Sequence, residues 1–156
     1  MRKNLIRIIK IWIILNFFYI SVGISSQIDI SADKMEVFDS EGLVVFTGKV
    51  FGIKENFKIW CDKMYVYYGI SSGGERQINK IVALGKVIME KGKWKAYAGK
   101  AVYFRDQEKL ILEETPKVWH DKNLIEGDII IIYFKEDRSE ILAKDQGRVR
   151  ATVYIR

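Results

Sequence analysis

The sequence predicts an all-β fold: one long antiparallel sheet, repeatedly bent and folded back over itself. Three observations carry this. The 156 residues are 49% hydrophobic and 13% aromatic with a single proline, a balance rich in the Val, Ile and Tyr that favour strands. Strand-like alternation recurs along the chain, and in each copy its phase slips at the same kind of site. No segment between residues 27 and 156 sustains a helical period or carries helix caps.

The slip is clearest around Ile59–Tyr67. Apolar or small residues fall on odd positions before it (Phe57, Ile59, Cys61) and on even positions after it (Met64, Val66, Tyr68). A strand of period 2 cannot keep one face buried across such a change, so the chain must turn a corner or bulge at Asp62-Lys63. The same pattern runs Ile28, Ile30, Ala32, then Met35, Val37 about Asp33-Lys34. It runs again Trp94, Ala96, Ala98, then Ala101, Tyr103 about Gly99-Lys100, and a fourth time from Leu124 to Ile131 with Gly127-Asp128 at the break. With Lys34, Lys63, Lys100 and Asp128 taken as equivalent, the copies lie 29, 37 and 28 residues apart.

A second unit alternates with the first. Phe46-Thr47-Gly48-Lys49-Val50, Ala83-Leu84-Gly85-Lys86-Val87, Thr115-Pro116-Lys117-Val118 and Gln146-Gly147-Arg148-Val149 share a turn-former, a basic residue and a valine. Gly or Pro allows a kink in a strand, the basic residue faces solvent, and the valine returns to the core. Four residues before each turn-former stands an apolar residue: Val44, Ile81, Leu112 and Ala143. The two units interleave four times, giving four repeats of two bent strands. Polar links such as Asp39-Ser40-Glu41-Gly42 and Arg105-Asp106-Gln107-Glu108 suit hairpin turns, and Gly69–Gln77 reads as the longest loop. Units this short cannot bury their own apolar faces, so neighbours must stack.

Charge and cysteine bound the function. Four of the 26 basic residues and none of the 20 acidic ones fall in residues 1–26, which leaves 22 against 20 in the remainder. A body this close to neutral argues against nucleic acid as a partner. The head, Arg2, Lys3, Arg7 and Lys10 followed by an apolar run from Ile11 to Ile24 and then Ser25-Ser26, has the order of a secretory signal. The expected division is therefore a signal peptide over 1–26 and one β domain over 27–156. The alternative is a retained single-pass anchor; the 14-residue run is about 21 Å as a helix, against roughly 30 Å of hydrocarbon. Cys61 is the only cysteine, so no internal disulfide is available to an exported chain.

Ala32-Asp33-Lys34-Met35-Glu36-Val37, Phe46-Thr47-Gly48-Lys49-Val50, Cys61-Asp62-Lys63-Met64-Tyr65-Val66-Tyr67-Tyr68 and Ala83-Leu84-Gly85-Lys86-Val87 resemble, in that order, the LptA/OstA-like family. The resemblance covers about Ile28 to Phe134 and departs in the fourth repeat and at Pro116. It implies a twisted, V-shaped β-jellyroll, open along one side, in a periplasmic protein of lipopolysaccharide transport. It further implies a slot between two sheets for lipid A acyl chains. End-to-end self-association, and association with related OstA-like domains at the inner and outer membranes, would form a bridge. A related membrane-anchored subunit, and a structural or binding β domain without a slot, are the other readings.

The expected ligand-facing set is the apolar residues that recur in the repeats: Ile30, Met35, Val37, Val44, Val50, Ile59, Met64, Val66, Ile81, Val87, Tyr103, Leu112, Val118 and Ile131. Leu124, Ile129, Ala143 and Val149 occupy the corresponding places of the fourth repeat. Lys49, Lys86, Lys117 and Arg148 read as a solvated outer row. The last strand, Arg148 to Arg156, alternates without fault and reads as an edge that docks near Ile28–Ala32 of a neighbour. His120 is the sole histidine and Cys61 takes a place held elsewhere by alanine, so neither a metal site nor a nucleophile is expected. No cofactor and no enzymatic activity are expected.

Overall fold

Twelve strands make up the fold in a computed structural model that describes residues 27–156. The expected signal peptide over 1–26 lies outside the described residues. The strands are β1 (Asp29–Ser31), β2 (Lys34–Phe38), β3 (Leu43–Lys54), β4 (Phe57–Ile70), β5 (Arg76–Lys91) and β6 (Trp94–Phe104). They continue as β7 (Lys109–Glu113), β8 (Lys117–His120), β9 (Asn123–Glu126), β10 (Ile129–Tyr133), β11 (Arg138–Leu142) and β12 (Arg150–Thr152). One turn of 3-10 helix, Asp39–Glu41, links β2 to β3 and ends at Gly42, whose φ of 58° needs no Cβ to be accommodated. The loop between β4 and β5 is shorter than the expected Gly69–Gln77, because both strands run into it.

Every ladder is antiparallel. Pairing shifts between Thr47 and Val50 of β3, between Trp60 and Lys63 of β4, and between Leu84 and Val87 of β5. These are the phase slips, and together they draw a crease across the sheet. On one side of it the strand order is β2-β3-β4-β5-β6-β7-β10-β11; on the other it is β1-β3-β4-β5-β6-β8-β9-β12. We call these the first and second half-sheets. Each has eight strand segments, and four strands, β3 to β6, contribute to both. The sheet does not close, and the fold is the open jellyroll of repeated bent antiparallel strands.

The crease is built from paired residues. Gly48 and Gly85 have φ of 83° and 79°, and Lys49 and Lys86 after them have φ of 46°. Asp33 lies over Gly48 and Asp62 over Gly85, so the first recurring unit supplies the carboxylate and the second the glycine. Asp128 lies over Gly147 in the same way and accepts a 2.6 Å hydrogen bond from the Lys144 amide. In the third crossing the roles are exchanged. Gly99 stands on β6 and Glu114 supplies the carboxylate, with Glu114 and Thr115 taking the left-handed φ values of 64° and 56°. The left-handed pair is thus Glu114-Thr115, not a pair at Pro116; Pro116 is fully buried.

The register corrects the fourth repeat. Asp128 stands where Asp62 stands, not where Lys63 does, because Ile129 joins the row that contains Lys63, Lys100 and Glu113. The crease residues Asp33, Asp62, Gly99 and Asp128 are then 29, 37 and 29 residues apart. The final strand is also shorter than expected. Only Arg150–Thr152 pairs, with β9, while Val153, Tyr154 and Ile155 are exposed.

Candidate functional site

Two inward rows line each half-sheet. In the first half-sheet one row is Met35, Phe46, Met64, Ala83, Ala101, Leu112, Ile130 and the other is Val37, Val44, Val66, Ile81, Tyr103, Leu110, Ile132. In the second half-sheet, Val50, Cys61, Val87 and Ala98 lie nearest the crease. Beyond them run Ile30, Gly52, Ile59, Met89, Ala96, Val118 and Ile125. Apart from Met35, Val37 and Gly52, these rows form one continuous apolar cluster. Small residues recur within it: Ala83, Ala96, Ala98, Ala101 and Cys61.

Burial falls from the crease outward. Met64 is 2% exposed, Ala83 1%, Leu112 0%, Ile130 2%, Val50 1% and Val87 0%. The next row out is mixed: Val66, Leu110, Met89, Ala96 and Val118 are buried, whereas Val44, Ile81, Tyr103, Ile132, Ile30, Ile59 and Ile125 are only half-buried, although their surroundings are apolar. A self-filled core would cover this outer row as completely as the inner one. The inner face is therefore sealed along the crease and only partly covered toward the hairpins.

Of the candidate residues, Ile30, Val44, Val50, Ile59, Met64, Val66, Ile81, Val87, Tyr103, Leu112 and Val118 all belong to this cluster. Met35 and Val37 share its face but lie on the edge strand β2, where they are 59% and 49% exposed. Ile131 does not face inward. It pairs with Ile111, in line with Val102, Val82 and Tyr65 on the outer face, and Ile130 and Ile132 point into the cluster instead. Leu124 is displaced likewise, with Ile125 in the inward place. Val149 is half-exposed outside any strand, and Ala143 is exposed. Val118 falls in the row of Ile59, not that of Val50, because the third crossing carries Pro116 inside it. Phe46, Met89 and Leu110, outside the expected set, also face inward, in alternation with Val44, Val87 and Leu112.

The other singled-out residues settle as follows. Lys49, Lys86, Lys117 and Arg148 are exposed, and Lys117 pairs with Glu126 at 3.4 Å. Cys61 is buried, which pushes its thiol up to about 11; the Asp62 charge adds to this, and the backbone of Lys63 and Leu84 partly opposes it. Such a thiol is neutral packing material, not a nucleophile. Tyr103 is raised by burial and then by Glu108, so its phenol also stays neutral. His120 stacks on Trp94 with ring centroids 4.3 Å apart. Among the described residues no group of His, Cys, Asp or Glu is placed to hold a metal ion.

Bent strands, a glycine–carboxylate crease and an apolar inner face define an open antiparallel β-jellyroll. The chain belongs to the LptD_N family, described as LptA/(LptD N-terminal domain) LPS transport protein, which matches residues 29–138. This is a family of transport proteins, not of enzymes. The crystal structure of LptH, described as the LptA homologous periplasmic component of the conserved lipopolysaccharide transport device from Pseudomonas aeruginosa, is similar in fold. The TM-score is 0.72 at 19% identity, over 83% of this chain and 96% of that one. No curated protein matches the chain.

Proposed function

We propose that this chain is a periplasmic lipopolysaccharide carrier, holding acyl chains against its inner face as they pass from inner to outer membrane. The observation that carries the reading is the burial gradient: apolar rows sealed at the crease, followed by rows in which Val44, Ile81, Tyr103, Ile132, Ile30, Ile59 and Ile125 are left half-buried. Each methylene moved from water onto such a face contributes about 0.8 kcal/mol, so a few acyl chains bind without polar recognition. The small residues of β5 and β6 leave width where bulkier ones would fill it. In this reading residues 1–26 are a cleaved export signal, and N-terminal sequencing of the exported protein should find a start near Ser26 or Gln27. A start at Met1 would point to the anchored alternative.

Strand count supports end-to-end association. Each half-sheet has eight segments, so β11 and β12 run antiparallel to β2 and β1 of a copy placed next in line. Such a head-to-tail contact continues both half-sheets and, being heterologous, does not close on itself. Met35 and Val37, the exposed ends of the inward rows, become interior in that contact.

Native mass spectrometry of protein purified from a lipopolysaccharide-producing cell tests the carrier reading. Bound lipid, or binding of added lipopolysaccharide, is expected; neither would remove it. Val66→Arg should weaken binding more than Lys86→Glu, and the reverse order would move the site to the outer row.

A further inference from the structure

The inward rows of the second half-sheet do not end in apolar residues. Two positions beyond Ile59, Met89, Ala96, Val118 and Ile125, on the same face, the register places Phe57, Lys91, Trp94, His120 and Asn123, with Lys54 opposite Phe57. This row forms the lip of the half-sheet. Phe57 still packs on the apolar cluster, whereas Trp94 is 51% exposed and stacks on His120. An aromatic ring flanked by two lysines at the end of an apolar surface matches the join between the chains and the head of an anionic amphiphile.

The opposite lip differs in charge. With the flanking residues counted, the three hairpins of the second half-sheet carry Lys54, Lys91, Lys93 and Lys122 against Glu55 and Asp121, a net of +2. The four turns of the first half-sheet, counted likewise, carry seven carboxylates against five cations, a net of −2. An anionic head at the mouth is drawn to one lip and repelled by the other, which fixes the side on which it lies.

We propose that the lip formed by Lys54, Lys91, Trp94 and His120 binds the phosphate groups of the carried amphiphile, with Lys54 and Lys91 as the phosphate-contacting cations. This rests on the slot reading above. The test compares binding of diphosphoryl lipid A and monophosphoryl lipid A to the full domain, and follows the Trp94 indole resonance by NMR.

Wild-type protein is expected to prefer the diphosphoryl form by about three- to tenfold, the range of one or two exposed charge pairs. Lys54→Gln with Lys91→Gln should erase the preference while retaining binding of the monophosphoryl form. Lys86→Gln, at the crease, should leave the preference intact. Inorganic phosphate alone is expected to leave the Trp94 resonance in place, because two lysines without the slot hold it weakly. Equal binding of the two lipids by wild type, or an undiminished preference in the double variant, overturns the lip assignment and leaves the slot standing. Failure of both lipids to bind overturns the slot and the lip together. A Trp94 resonance that moves with inorganic phosphate and not with either lipid would mean a free-anion site.

Discussion

Asp62 lies across the α-carbon of Gly85, its Cβ only 2.9 Å from where a Cβ on Gly85 would stand. Asp33 has the same relation to Gly48 at 3.0 Å, and Asp128 Oδ2 stands 2.7 Å from the corresponding point on Gly147. Gly99 and Glu114 achieve it with the roles exchanged. Each crossing of the crease therefore has room for one side chain shared between two strands. The glycine is needed twice over: its neighbour occupies the Cβ position, and at Gly48 and Gly85 the backbone is left-handed.

Gly85→Ala should consequently cost more than its backbone conformation alone. Gly74 is the internal control, since its φ of 81° is close to the 79° of Gly85 but nothing lies within 4 Å of the site of a Cβ. Gly74→Ala is expected to lose about 1–2 kcal/mol, the left-handed penalty. Gly85→Ala should lose clearly more by urea denaturation, with part of the excess recovered when Asp62→Gly is added. Equal losses at the two glycines would show that the crease tolerates the extra carbon.

Adjacent isoleucines in β10 give a sharp test of the slot. Ile131 and Ile132 are both half-buried but face opposite sides of the sheet. Ile132→Gln should lower lipopolysaccharide affinity roughly tenfold or more, the equivalent of removing one large apolar contact. Ile131→Gln should leave affinity within about twofold while costing similar stability. Matching losses of affinity would place the ligand somewhere other than the inner face.

The Cys61 thiol predicts an alkaline dependence. Its value rises from 9.0 to about 11 on folding, so the native state keeps a proton that the unfolded chain gives up in that interval. The contribution is complete below pH 9 and is lost as pH climbs from 9 toward 11. Cys61→Ala, matching the alanine at Ala98 in the equivalent row, should flatten the fall in urea midpoint between pH 8.5 and about 10.5. Thiol-directed reagents should react slowly with native protein and rapidly in urea.

End-to-end association is checked at the edge strand. Met35→Glu with Val37→Glu changes two exposed side chains of β2, so the monomer should keep its fold by circular dichroism. Sedimentation equilibrium should show association weakened by tenfold or more, because two charges would enter the continued inward rows. Unaltered association would assign the contact to other surfaces.

Alternation was readable wherever a charged or small residue punctuated it. Asp33-Lys34, Asp62-Lys63 and Gly99-Lys100 mark the crease in the first three repeats, and the inward rows before and after them follow. Ile129–Ile132 is four isoleucines in succession and has no phase of its own, so nothing in it separates Ile131 from Ile130 and Ile132. Pro116 reads as the turn-former of the third unit because proline kinks strands, but the crossing lies two residues earlier, where Glu114 and Thr115 take the left-handed conformation. The faultless alternation of Arg148–Arg156 overstated the last strand. Its partner β9 is only four residues long and pairs with Arg150–Thr152, so most of the alternation has no ladder to join. The lip was not legible at all, since Lys54, Lys91 and His120 come together only through register.

The even number of segments in each half-sheet has a consequence for size. Neighbouring strands lie about 4.8 Å apart, so a file of copies joined edge to edge lengthens in steps of roughly 38 Å. The two ends of that file are unlike, one offering β1 and β2 and the other β11 and β12. A span built this way is graduated like a ruler with a marked zero: its reach is set by the number of copies, and its sense by which edge comes first.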